Sequence, residues 1–225
     1  MEPTAVTVAL ETSPTPKLIR PLLMIVPASD QANIQAGKII RRGGVIAFRT
    51  DTFYGLGANP TDASAVRKVA ELKGREGKPI LILVSDPDLV PKYVRRISDL
   101  FDRLAKNFWP GPLTLIGIAA NELPDELTAG TGTVGIRLPN DEAVRALLRS
   151  CGGALTATSA NPTGETPGRS APELARYFPQ GVDLIIDGGE VNATEPSTVV
   201  DLSGANPVVI REGVIKRQDL ERILG

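Results

Sequence analysis

Short apolar runs alternate with helical patterns along the chain from residue 21 onward. The continuous apolar run at 80–84 is typical of a strand covered on both faces, and Val66, Val69 and Leu72 recur at helical spacing. Further strands are predicted at 21–26, 45–49, 113–118, 133–138, 154–158, 183–186, 198–201 and 208–211. Strands that alternate with helices in this way predict one α/β domain with a mixed sheet over residues 21–225.

The borders of these elements carry capping residues and polar loops. Helix caps are predicted from residue type at Ser29 or Asp30, Thr61, Ser98, Asn140 and Ser170. Three loops at predicted strand ends, 50–57, 159–168 and 188–197, are rich in Gly, Thr, Ser and Asn. Because α/β folds bind ligands at strand ends, these loops are the candidate site.

Residues 1–20 differ from the rest of the chain. Proline and threonine alternate there and no hydrophobic period is present, which predicts a flexible N-terminal tail.

Composition excludes several classes of protein. The chain has no histidine and one cysteine, which excludes Ser-His-Asp triads, histidine-ligated metals, thiolate zinc clusters and intrachain disulfides. We therefore predict no metal site built from protein ligands and a reducing, cytoplasmic location. Apolar runs are far shorter than the roughly 18 residues of a membrane span. A net charge of −1 predicts weak or absent direct RNA binding and no DNA binding.

Four clusters are candidates for chemistry, and each has a plain structural alternative. The stretch Thr50-Asp51-Thr52-Phe53-Tyr54-Gly55-Leu56-Gly57 suits a small anionic ligand, or is only a turn with a packed aromatic pair. Lys73-Gly74-Arg75 at a helix end could simply complement the helix dipole. Ser159-Ala160-Asn161 could be a turn. Ser197-Thr198-Val199-Val200-Asp201 is followed by Arg211-Glu212-Gly213, whose arginine could be solvated.

Together with Arg137, these clusters resemble the YrdC-like threonylcarbamoyl-adenylate synthase family, in its short single-domain type. Phe108-Trp109-Pro110-Gly111-Pro112-Leu113-Thr114 and Val134-Gly135-Ile136-Arg137-Leu138-Pro139 also match the family pattern, and the resemblance runs from about residue 25 to 216. It implies a twisted sheet flanked by helices, with a positively charged cavity on the concave face. It also implies a nucleotidyltransferase that converts L-threonine, bicarbonate and ATP to threonylcarbamoyl-AMP and pyrophosphate. Mg²⁺ would be carried with ATP, and a tRNA threonylcarbamoyl transferase would receive the product for tRNA modification.

The resemblance also implies roles for nine residues. The proposed catalytic cations are Lys73 and Arg75, which would contact the phosphates. Arg137 would bind the carboxylate of threonine or its carbamate. The other predicted binding residues are Thr50, Thr52, Ser159, Asn161, Ser197 and Arg211. Threonine carbamate is already an anionic nucleophile, so a chain without histidine is suited to this step, which depends mainly on positioning and positive charge.

Two residues depart from the family pattern, and two rival functions are also compatible with the sequence. Arg49 stands where the family usually has proline, and Pro167 where many members have serine or threonine. One rival is a paralogous nucleotide- or RNA-binding protein of the same fold without efficient synthase activity. The other is a carbamoyl-transfer module like those of hydrogenase maturation, which belongs to longer chains.

Overall fold

The computed structural model describes residues 24–74 and 77–224, and within these residues ten strands form one sheet. The strands are β1 (Met24–Pro27), β2 (Ile46–Phe48), β3 (Gly55–Gly57), β4 (Leu81–Val84), β5 (Leu113–Ile118), β6 (Thr133–Arg137), β7 (Ala154–Ser159), β8 (Leu184–Asp187), β9 (Thr198–Asp201) and β10 (Val208–Arg211). The helices are α1 (Asp30–Ile40), α2 (Ala63–Lys73), α3 (Val90–Tyr93), α4 (Asp99–Phe108), α5 (Asp125–Thr128), α6 (Glu142–Ser150), α7 (Ala171–Tyr177) and α8 (Arg217–Leu224).

The strand order is β1-β8-β2-β3-β7-β4-β6-β5-β9-β10. The sheet contains parallel pairs, such as β2 with β8 and β5 with β9, and antiparallel pairs, such as β3 with β7 and β5 with β6. The sheet is therefore mixed and the predicted α/β fold is confirmed. Among the described residues, no helix is long and apolar enough to cross a membrane. The predicted tail, residues 1–20, lies outside the described residues.

The two faces of the sheet are covered unequally. Helices α1 and α6 pack together on one face, over a cluster that includes Phe48, Leu83, Leu155 and Ile186. The two helices approach closely because Gly37 has no side chain: a Cβ there would lie 2.3 Å from the Ser150 carbonyl oxygen. A larger buried cluster on the opposite face includes residues of α2, α4, α7 and α8. On the α1/α6 face, the sheet continues past the two helices towards β5, β6 and β9. The cavity described below opens on that part of the sheet.

Helix caps explain most of the local boundaries. Ser29 and Ser98 accept hydrogen bonds from the first turns of α1 and α4, as predicted. Two predicted caps were wrong by one residue, because Asp62 caps α2 instead of Thr61 and Asp141 caps α6 instead of Asn140. An ionised carboxylate accepts stronger hydrogen bonds from helix amides than a neutral side chain does, so the aspartate takes the cap in both cases. Ser170 precedes α7 without a side-chain capping bond.

The predicted loop 50–57 contains a strand that the sequence pattern did not show. Gly55–Gly57 forms β3 between β2 and β7. Two glycines in three residues give a low strand propensity, so this strand depends on its two partners. A Cβ at Gly57 would come within 2.6 Å of the Phe48 ring, so the missing side chain permits that packing.

Candidate functional site

A cavity of about 660 Å³ opens on the sheet where the α1/α6 layer ends. Its floor follows the alternation of side chains along the strands: Leu113 and Leu115 point into the core, whereas Thr114 and Ile116 line the cavity. Gly135 and Arg137 of β6, Leu81 and Leu83 of β4, and Val199 and Asp201 of β9 line it in the same way. The polar residues of these strands that face away from the core therefore meet in one concave site.

Lys73 lies beside Ser159, which lines the cavity, and is only 4% exposed. Its Nζ donates to the Ser159 carbonyl (2.7 Å) and hydroxyl (3.2 Å), and to the Asn161 carbonyl (2.6 Å) and Oδ1 (2.9 Å). In return, Thr163 donates its amide (2.9 Å) and hydroxyl (2.8 Å) to the Lys73 carbonyl. We call Lys73, Ser159 and Asn161 the lysine node. A lysine that only complemented the dipole of α2 would not need these contacts.

Asn161 extends the lysine node into the loop after β7. Its Nδ2 donates to the carbonyl of Glu165 at 2.6 Å and to that of Pro162 at 3.1 Å. The side chain therefore bridges Lys73 and the far part of the loop, and so the node holds the loop against the end of α2.

Arg211 and Ser197 meet at the opposite side, near β9 and β10. The Arg211 guanidinium donates through Nε (3.1 Å) and Nη2 (2.9 Å) to the Ser197 carbonyl, and through Nη2 to the Ser197 hydroxyl (3.2 Å). Ser197 Oγ is also 3.0 Å from Thr114 Oγ1. Gly213 allows the chain to pass here, because a Cβ would lie 2.1 Å from the Pro196 carbonyl oxygen.

Arg137 is 4% exposed, and its guanidinium is held by three neighbours. It donates to the Gly111 carbonyl (3.2 Å), to Thr52 Oγ1 (3.0 Å) and to the Asp51 carboxylate, with which it forms an ion pair. Burial lowers the pKa of Arg137, the Asp51 charge raises it, and the nearby charge of Arg211 lowers it. Both arginines line the cavity.

Thr50 organises the turn that presents Thr52. Its Oγ1 donates to the Phe53 carbonyl at 2.6 Å and accepts the Thr52 and Phe53 amides, both at 3.2 Å. Thr52 Oγ1 is 3.2 Å from Thr50 Oγ1 and accepts a hydrogen bond from Arg137. The hydroxyl-rich turn is thus tied to the arginine side of the cavity.

The structure brings together most of the residues that the sequence predicted. Thr50, Thr52, Arg137, Ser159, Ser197 and Arg211 line the cavity, and Lys73 and Asn161 adjoin it through the lysine node. Arg75 lies outside the described residues. Arg137, Arg211 and Asp201 are the charged residues on the described part of the wall. A net positive charge of the cavity stays a prediction.

Three residues of the site were missed as separate candidates. Asp51 and Thr114 lie inside motifs named above but were not predicted as site residues. For Thr114, a polar residue between Leu113 and Leu115 in a predicted strand was the signal that could have indicated a role in the site. Tyr54 is buried and its hydroxyl donates to the Gly189 carbonyl at 2.8 Å and accepts the Gly188 amide at 3.1 Å, so it fastens the loop after β8. Burial raises the pKa of Tyr54.

The two departures from the family pattern lie in different places. Pro167 lines the cavity. Arg49 instead packs its side chain against Gly188, and its Nη1 is 3.6 Å from Asp141 Oδ2 at the start of α6.

A protein-family model described as "Telomere recombination" and named Sua5_yciO_yrdC matches residues 38–213. The chain belongs to this family. The matched range includes every predicted site residue from Thr50 to Arg211. Among the residues of this family member that the structure describes, no group of three or more Cys, Asp and Glu side chains could hold a metal ion.

Two curated relatives of this chain are named threonylcarbamoyl-AMP synthase. A threonylcarbamoyl-AMP synthase of Pyrococcus abyssi is 37% identical over 191 residues, 84% of this chain and 56% of that protein. A threonylcarbamoyl-AMP synthase of Thiobacillus denitrificans is 39% identical over 165 residues, 73% of this chain and 87% of that protein. The chain thus spans little more than half of the first relative and most of the second.

Solved structures of the family have the same fold. P. abyssi Sua5 complexed with L-threonine superposes with a TM-score of 0.84 at 34% identity, covering 91% of this chain and 60% of that one. Escherichia coli YciO superposes with a TM-score of 0.79 at 30% identity, covering 89% of this chain and 99% of that one. The names of the curated relatives do not favour the paralogous, non-synthase alternative.

Proposed function

We propose that this protein is an L-threonylcarbamoyladenylate synthase. It joins L-threonine, bicarbonate and ATP, and releases threonylcarbamoyl-AMP, pyrophosphate and water. Its relatives' shared name and the L-threonine bound to P. abyssi Sua5 support the assignment.

The observation that carries this proposal is that two clusters of polar residues lie on different sides of one cavity. On one side, the lysine node brings a cation and the Ser159 hydroxyl to the end of β7. On the other, Arg137 and Arg211 stand beside Ser197 and Thr52. A volume of about 660 Å³ is within the range of pockets that bind small molecules and cofactors.

The reaction needs little proton transfer from the protein. The amino group of threonine and bicarbonate form a carbamate with loss of water, and a carbamate oxygen then attacks the α-phosphorus of ATP. The bond between the α-phosphorus and the bridging oxygen breaks, and pyrophosphate leaves with that electron pair. We assign Lys73, acting through its charge, and Arg75 to the phosphates, with Ser159, Asn161 and Arg211 on the nucleotide. Arg137, Thr52 and Ser197 hold the threonine end, and Thr50 shapes the turn.

The remaining partners follow from the same reaction. Mg²⁺ enters as MgATP, and the labile mixed anhydride passes to a tRNA threonylcarbamoyl transferase. We propose that the enzyme acts in the cytoplasm and binds tRNA weakly or not at all, in line with its net charge of −1.

Steady-state pyrophosphate release tests this function. We expect release to require threonine, bicarbonate and MgATP together, and the product to carry the mass of threonylcarbamoyl-AMP. Arg211→Ala is expected to lower release at least about tenfold, equivalent to 1.4 kcal/mol. Arg103→Ala on the exposed side of α4 removes the same charge away from the cavity and is expected to keep wild-type release. Release that does not depend on threonine, or that Arg103→Ala lowers as much as Arg211→Ala, would refute the assignment.

A further inference from the structure

Thr114 forms a buried hydrogen-bonded pair with Ser197, and it has no role in the reaction as written above. Thr114 is 1% exposed and Ser197 is 3% exposed, and both line the cavity. Their hydroxyl oxygens are 3.0 Å apart, and either could donate. The Arg211 guanidinium donates to the same Ser197 oxygen at 3.2 Å.

The number of hydroxyl protons on this pair decides which further hydrogen bonds Ser197 can make. Each hydroxyl has one proton and two lone pairs, and one of the two protons is used in the bond between them. Arg211 can only donate, so it occupies a lone pair of Ser197 and takes up no proton. If Thr114 donates to Ser197, both lone pairs of Ser197 are occupied and its own proton is left to point elsewhere. In this arrangement Ser197 can make a further bond only as a donor.

The position of the pair decides what kind of group would accept that proton. Both residues line the cavity, and Arg211 adds a positive charge beside them. A donor next to a guanidinium in an enclosed site favours an anionic oxygen. The proposed function places Ser197 at the threonine end, so this oxygen would belong to threonine or its carbamate.

We propose that Thr114 is a positioning residue for the amino-acid substrate. By donating to Ser197 it directs the Ser197 hydroxyl proton towards an anionic oxygen of threonine or its carbamate. This inference rests on the proposed function and adds a residue to it. Thr114 acts through Ser197 and does not need to touch the substrate itself.

Three substitutions at position 114 separate the hydroxyl from the shape of the side chain. Thr114→Val keeps the branched shape and the strand preference but removes the hydroxyl, whereas Thr114→Ser keeps the hydroxyl. We expect Thr114→Val to raise the KM for threonine about tenfold or more, with the KM for ATP changed less than twofold. Thr114→Ser is expected to stay within threefold of wild type for both. If a thermal melt shows that Thr114→Val is unfolded, Thr114→Ala removes the same hydroxyl without adding bulk.

A double-mutant cycle tests the route through Ser197. In a Ser197→Ala background, Thr114→Val is expected to change the KM for threonine less than twofold, because its target is gone. A threonine KM within twofold of wild type for Thr114→Val alone, or an equal effect in both backgrounds, would overturn the inference. A wild-type protein with no threonine-dependent pyrophosphate release would instead refute the proposed function, so the two failures differ.

Discussion

Replacing Lys73 with methionine tests whether the lysine node holds the site together. Lys73→Met keeps most of the aliphatic stem and removes the three N–H donors that now serve four oxygens of Ser159 and Asn161. Lys106 is the matched control, because it lies in the last turn of α4 as Lys73 does in α2, but is exposed.

The expected cost follows from the number of bonds. Hydrogen bonds to a charged group contribute about 1.5–3 kcal/mol each, and part of this is recovered when the freed oxygens take up water. We therefore expect Lys73→Met to lower the free energy of unfolding by about 2–4 kcal/mol. For a domain of this size, that corresponds to a melting temperature lower by about 5–15 °C. Lys106→Met loses only a dipole contribution of about 0.3–1 kcal/mol.

Differential scanning fluorimetry without ligands measures this difference. Pyrophosphate release by the same variants should fall at least about tenfold for Lys73→Met and stay unchanged for Lys106→Met. Equal and small shifts in melting temperature for both variants would show that Lys73 only complements its helix dipole. The inference that the lysine node holds the site together would then be wrong.

Three further predictions concern other positions. Ala129 has a φ of +50°, so Ala129→Gly is expected to raise the melting temperature by about 1–4 °C, and a lower value would contradict this. Gly37→Ala should lower it by about 2–10 °C, because the new Cβ meets the Ser150 carbonyl; an unchanged melt would show that α1 and α6 separate easily. Burial raises the pKa of Cys151 to about 12, so a thiol reagent at pH 8 should label it only after denaturation, whereas rapid labelling of the native protein would refute its burial. The same shift means that the Cys151 thiol contributes stability below its ordinary pKa near 9 that is lost as the pH rises towards 12.

The sequence predicted the long elements and the site better than the short elements. The continuous apolar run at 80–84 forms β4 over residues 81–84, because burial on both faces leaves few alternatives. Gly55–Gly57 was missed because its strand conformation comes from β2 and β7, which are distant in sequence. Motifs identified most site residues, yet no pattern showed that Lys73 turns back to Asn161, since 88 residues separate them.

The mutual bonds between the end of α2 and the loop after β7 have a consequence for the energetics of binding. Lys73 donates to this loop through its side chain, and Thr163 of the loop donates back to the Lys73 carbonyl. Contacts within the protein therefore hold both segments together. The loss of conformational entropy needed to shape this side of the cavity then occurs during folding, and little of it is left to weaken substrate affinity.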